Sequence, residues 1–219
     1  MGMFNGTPLV YKTGEYTREN NEVMRVSNWA MIWSKLALVK TNDSLVPLGD
    51  GYIFVDFVAG KTKINYPKNI SGSFKGISFQ LGIDSVINHS DPTVWGPEHP
   101  LNANLTGLHW GWASGYIFQA LDGTFKTKSG DANWQGLTLH TATDQFTKKI
   151  FVPFNFTLDA AGPNTINIEA WVDEYFKNPV NMDFTKDGIS SHSVGSKEIA
   201  IMKTVLGNAG DVFRIKDVK

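Results

Sequence analysis

Histidine and tryptophan are the residues through which this sequence could do chemistry, because the chain has no cysteine. Three of the five histidines (His89, His99, His109) and three of the seven tryptophans (Trp95, Trp110, Trp112) fall within residues 84–114. His140 follows in an alternating stretch, and His192 sits in the serine-rich SSHSVGS. Without thiolates, a transition-metal site must use imidazole, carboxylate or carbonyl ligands, and imidazole suits copper, zinc, iron and nickel. A single histidine is more often a polar surface or capping residue, so this reading rests on the set. Trp110-Gly111-Trp112 puts two indoles on one side of an extended segment, where they could stack on sugar rings, flank a metal or pack in a core. Asp84, Asn88 and Asp91 offer oxygen ligands of the kind a hard cation such as calcium takes, although three such residues in one loop are common.

Other chemistries find no support. HExxH, P-loop, GxSxG and GxGxxG patterns are all absent, so zinc protease, nucleotide-binding, α/β-hydrolase and dinucleotide-binding readings have no local basis. The chain therefore reads as a binding protein and not an enzyme. A formal net charge of −1 with no basic cluster gives no electrostatic footprint for nucleic acid or an anionic membrane. No apolar run is long enough to cross a bilayer as a helix. The opening Met1-Gly2-Met3 lacks a basic and apolar leader, which suits either a cytoplasmic chain or an exported one given without its signal.

The elements that must position these residues read as strands. Residues 26–39, VSNWAMIWSKLALV, are apolar on both alternate sets, as in a long strand covered on both faces. Ile77, Phe79, Leu81 and Ile83 alternate with smaller or polar residues and lead into 84–114, which is longer than ordinary connections. Asp122-Gly123 is the strongest short hairpin signal. Leu137 and Leu139 place His140 on the opposite face. Clean alternation returns at 149–158 and 164–172, and shorter strands are expected at 8–11, 52–58, 62–66 and 211–218. A helix is expected at 197–206, with Ser196 as N-cap and Gly207 just past its end. Many short strands separated by turn residues predict an antiparallel β-sandwich, Greek-key or Ig-like, spanning 1–219 as one domain, with a closed barrel as the alternative.

The wording of the loop adds a resemblance. LGIDS, Asn88 four residues after Asp84, a PLN, then Leu108-His109-Trp110-Gly111-Trp112-Ala113-Ser114-Gly115-Tyr116 and a downstream LTLH resemble the MbnP-like family of methanobactin-associated copper-binding proteins and their exported bacterial relatives. Trp110, Trp112, Gly115 and Tyr116 match the family's W-x-W-x-x-G-Y element. The resemblance implies an extracytoplasmic β-sandwich, periplasmic or on the outer surface, that binds one copper ion through histidines and a tryptophan-derived kynurenine made by a partner di-haem enzyme of the peroxidase type. Carried onto this chain, the metal ligands are His89, His140 and His192, and Trp110 or Trp112 is the modified residue. Asp84, Asp91 and Tyr116 are the expected outer partners, since a ligating imidazole needs its other ring nitrogen held. The runner-up is a carbohydrate-binding or cell-surface module presenting Trp95, Trp110 or Trp112.

Overall fold

The computed structural model describes residues 1–49, 51–65, 70–111, 115–161, 164–192 and 194–219. Twelve strands appear among them: β1 Gly2–Phe4, β2 Thr7–Pro8, β3 Tyr16–Thr17, β4 Val23–Lys40, β5 Leu45–Pro47, β6 Tyr52–Asp56, β7 Gly72–Leu81, β8 Ile117–Lys126, β9 Gln135–Ala142, β10 Lys148–Leu158, β11 Ile166–Trp171 and β12 Phe213–Val218. They form the expected sandwich, one sheet ordered β12-β11-β1-β2 and a larger one built around β4. Pairing is antiparallel except between β1 and β11.

The 18-residue β4 organises the larger sheet. Met31 pairs with both Gln119 of β8 and Val55 of β6, while Trp33 pairs with both Leu81 of β7 and Ile53 of β6. Hence β6 occupies one edge of β4, and β7 and β8 lie end to end along the other. The chain from 82 to 116 leaves that edge and returns to the same place. At the junction Gly82 N–H donates to the Ile32 carbonyl over 2.9 Å, and a side chain at Gly82 would meet the Phe118 ring at 2.5 Å.

Two bulges explain why 26–39 looks apolar on both sets. Met24 and Val26 face the main core, then Trp29, Met31 and Trp33, then Leu36 and Leu38. The register slips against β8 between Val26 and Asn28, and against β7 between Ser34 and Ala37. Each slip inserts one residue and turns alternate side chains over; Lys35, at φ 55°, sits in the second. The opposite face at Ala30 and Ile32 is buried by a second cluster containing Ile83, Leu101, Leu108, Tyr116, Ile117 and Phe118. The histidine- and tryptophan-rich segment is therefore the cover of the sheet's second face. It carries two short helices, α1 Ser85–Asn88 and α2 Ala103–Thr106.

Five expectations are corrected. Asp122-Gly123 is not a hairpin turn: β8 runs through it, with Asp122 opposite Thr138 and Gly123 opposite Leu137. The glycine is needed for the first bulge, because a Cβ there would lie 1.9 Å from the Arg25 carbonyl oxygen, and the turn into β9 falls at 127–134. The helices α3 Phe184–Asp187 and α4 Ser196–Asn208 follow β11, and α4 starts from Gly195 as N-cap and runs through Gly207. No strand forms at 62–65, Tyr66 lies outside the described residues, and the strand expected at 8–11 is replaced by β1 and β2. The strand expected at 52–58 stops at Asp56, whose side chain accepts from the N–H groups of Val58 and Ala59 and turns the chain.

Candidate metal centre

His140 stands on β9, paired with Ala120 of β8 and pointing to the face that Phe118 and Ala120 share. It is 7% exposed. Its backbone N–H donates to Ser191 Oγ (2.9 Å), and that hydroxyl donates to the His140 carbonyl (2.8 Å). Residues 189–191 run beside β9 as a short parallel bridge from Ser190 to Thr138, which brings the next residue, His192, over His140. The two Nδ1 atoms are 3.1 Å apart. On its other side His140 Nε2 is 2.8 Å from Asp122 Oδ1, and Asn28 Nδ2 donates to Asp122 Oδ2 over 2.8 Å. Burial pushes the Asp122 carboxyl up, but the bonds from His140 and Asn28 outweigh it and hold it below the usual carboxylate range.

Trp110 completes the group. Its ring lies 6.2 Å from the His140 ring and 5.6 Å from the His192 ring, and packs against both apolar clusters. The indole Nε1 is buried with no hydrogen-bond partner. Gly115 fixes the approach of this segment: its carbonyl accepts from Trp110 N–H (2.9 Å), its φ is 71° and an added Cβ would lie 2.4 Å from Asn88 Oδ1. Gly115→Ala is expected to cost about 1–2 kcal/mol from the left-handed backbone alone, more with the clash, read as a lower unfolding midpoint in urea. Trp112 lies outside the described residues.

Elsewhere the expected residues serve the loop. His89 Nε2 is 3.0 Å from Asp144 Oδ2, and Asp144 also accepts from Ser85 Oγ and Asn88 Nδ2. No described hydrogen bond or ring contact joins His89 to His140, His192 or Trp110. Burial raises the Asp144 carboxyl, yet these three bonds leave it lowered overall. A carboxyl depressed in the folded state stabilises above its unfolded value and loses that contribution as pH falls. Asp144→Asn should therefore flatten the loss of stability seen below about pH 4, measured by urea unfolding across pH 2.5–6.

Asp84 caps α1 and accepts from the Tyr52 hydroxyl (3.1 Å). Asp91 caps the 3-10 turn Pro92–Val94 through Thr93, whose bonds lower its carboxyl. Tyr116 donates to the Leu101 carbonyl (2.7 Å). Asp84, Asp91 and Tyr116 thus make no described hydrogen bond to His89, His140 or His192; the carboxylates beside the imidazoles are Asp122, steadied by Asn28, at His140 and Asp144 at His89. Trp95 is stacked on His99 at 4.2 Å, and His109 packs edge-on against Tyr116 at 4.6 Å. Burial lowers both the His99 and His109 pKa values.

A family model described as MbnP matches residues 2–195. The chain belongs to the MbnP family. Among solved structures, MbnP from Methylosinus trichosporium matches with a TM-score of 0.56 at 13% identity, covering 92% of this chain and 84% of that one. At that identity the likeness is one of fold. No curated protein matches. The MbnP match takes in Trp110, Asp122, His140 and His192 and stops just before α4.

Among the described residues no cluster of three or more His, Cys, Asp or Glu side chains could hold a metal ion. What they do provide is a pair. At metal–nitrogen distances of about 2.0–2.1 Å, nitrogens 3.1 Å apart would subtend about 100° at an ion, which fits two neighbouring ligands of one centre.

Proposed function

We propose that this protein binds a single copper ion between His140 and His192, with Trp110 as the third wall of the site. The observation that carries the reading is the 3.1 Å approach of two Nδ1 atoms beside a tryptophan. Nitrogen donors favour copper over the other divalent first-row ions, and the chain offers no thiolate to shift that preference. His89, held by Asp144, stands apart from this ligand set. Trp110 is the residue that a partner di-haem enzyme of the peroxidase type would oxidise to kynurenine. Opening the indole would turn the unpartnered Nε1 into an aromatic amine and create a carbonyl at Cγ beside the two imidazoles, with Cδ1 as the carbon lost. The protein works outside the cytoplasm, in the periplasm or on the outer surface, as a binding protein and not a catalyst.

Copper titration of untagged, metal-stripped protein is expected to saturate at one ion per chain. Tryptic mapping of protein from its natural host should find the Trp110 peptide heavier by one oxygen and lighter by one carbon. Copper saturation with an intact indole would retain the site and remove the modification. Absence of binding to either form would remove the copper reading itself.

A further inference from the structure

The residues behind His140 form a built arrangement that the metal reading does not by itself require. Asp122 offers two carboxylate oxygens: Oδ1 lies 2.8 Å from His140 Nε2, and Oδ2 accepts the Asn28 amide over 2.8 Å. His140 is the diagonal neighbour of Asp122 in the regular β8–β9 pairing, whereas Asn28 does not face Asp122 by regular pairing alone. Asn28 comes opposite Asp122 only because the β4 bulge inserts Ser27 between Val26 and Asn28. That bulge in turn requires the bare Cα of Gly123 against the Arg25 carbonyl. An ionised carboxylate only accepts hydrogen bonds, so the proton of a neutral His140 sits on Nε2 and the lone pair sits on Nδ1. The nitrogen facing His140 Nδ1, 3.1 Å away, is Nδ1 of His192. For that contact to be a hydrogen bond, His192 must carry its proton on Nδ1.

We propose that Asn28 and Asp122 are positioning residues that hold His140 with Nδ1 unprotonated and aimed at the site, so that on metal binding only His192 changes tautomer. This rests on the copper reading for its second half. The proton balance is neutral: His192 loses the Nδ1 proton to water and takes one from water at Nε2, and its exposed position gives water access. His140 keeps its Nε2 proton throughout. A carboxylate behind a ligating imidazole also raises its basicity, and losing such a partner typically weakens metal affinity about 10- to 100-fold.

The test begins without metal. Long-range proton–nitrogen NMR of histidine-labelled apo-protein is expected to find His140 as the Nε2–H tautomer and His192 as Nδ1–H. Asp122→Asn turns an amide N–H₂ toward either His140 or Asn28, so its His140 should become a tautomer mixture and copper affinity should fall about 10- to 100-fold. The exchanged pair Asn28→Asp with Asp122→Asn restores an acceptor for Nε2 and a donor–acceptor match behind it, and should recover both readouts. Asn28→Ala, which leaves Asp122 in place, is expected to fall between the wild type and Asp122→Asn. A wild-type His140 carrying its proton on Nδ1, or a tautomer indifferent to Asp122→Asn, would overturn the proposal whatever copper does. The expected tautomers with no copper bound by the wild type would instead uphold the positioning pair and count against the copper reading.

Discussion

His140→Ala is expected to lower copper affinity by more than the 10- to 100-fold that follows loss of an outer partner, because it removes a nitrogen ligand together with the link to Asp122. His192→Ala should do the same at the ligand level while leaving the Asn28–Asp122 pair intact. His89→Ala should leave affinity within about twofold, since its imidazole is bonded to Asp144 and makes no described contact with the pair. Competition against a chromophoric chelator reads all three variants on one scale, and circular dichroism checks that each is folded. Wild-type affinity in His140→Ala would remove this histidine from the site. A loss in His89→Ala as large as in His140→Ala would bring back the wider ligand set that the sequence suggests.

The contrast between His89 and His140 measures how much of the site could be read from the chain. Residue type and the family resemblance put Trp110, His140 and His192 among the candidates together with Trp112 and His89, and the fold brings those three side chains together. They could not separate His89 from the others, because that depends on Asp144, 55 residues away. Asp122 was hidden by its neighbour. Aspartate followed by glycine is a strong turn signal, and here tertiary pairing overrides it: the glycine admits a bulge and the aspartate faces a histidine. One available sign was that Asp122 stands in a run that continues apolar and strand-like on both sides, from Ile117 to Phe125. The fold class was more legible, since alternation in β7 and β10 reports burial directly. In β4 the same alternation slips phase twice, and the slips became visible only against β7 and β8.

Those slips make Trp33 the residue whose loss should cost the fold most. Its ring stacks on Phe79 at 4.0 Å and meets Phe213 edge-on at 5.4 Å, so one side chain joins β4 and β7 of the larger sheet to β12 of the smaller one. Trp33→Ala leaves a cavity at this junction and is expected to cost about 3–5 kcal/mol, the range for buried aromatic deletions. For a chain of this size that lowers the thermal midpoint by about 6–20 °C. Trp33→Phe should cost much less, because it keeps a ring against Phe79 and the buried indole Nε1 has no hydrogen-bond partner to lose. Ile32→Ala, one residue away on the opposite face, deletes volume from the cluster under 82–116 and is expected to cost about 2–5 kcal/mol. The two alanine variants separate by where protection is lost. Hydrogen exchange should rise throughout both sheets in Trp33→Ala, but first in the cover that carries Trp110 in Ile32→Ala. Copper affinity should follow the second pattern, falling in Ile32→Ala under conditions where both proteins are still folded, because that side chain supports the segment that closes the site. Equal affinity in the two variants would mean that His140 and His192 hold the ion without help from the cover.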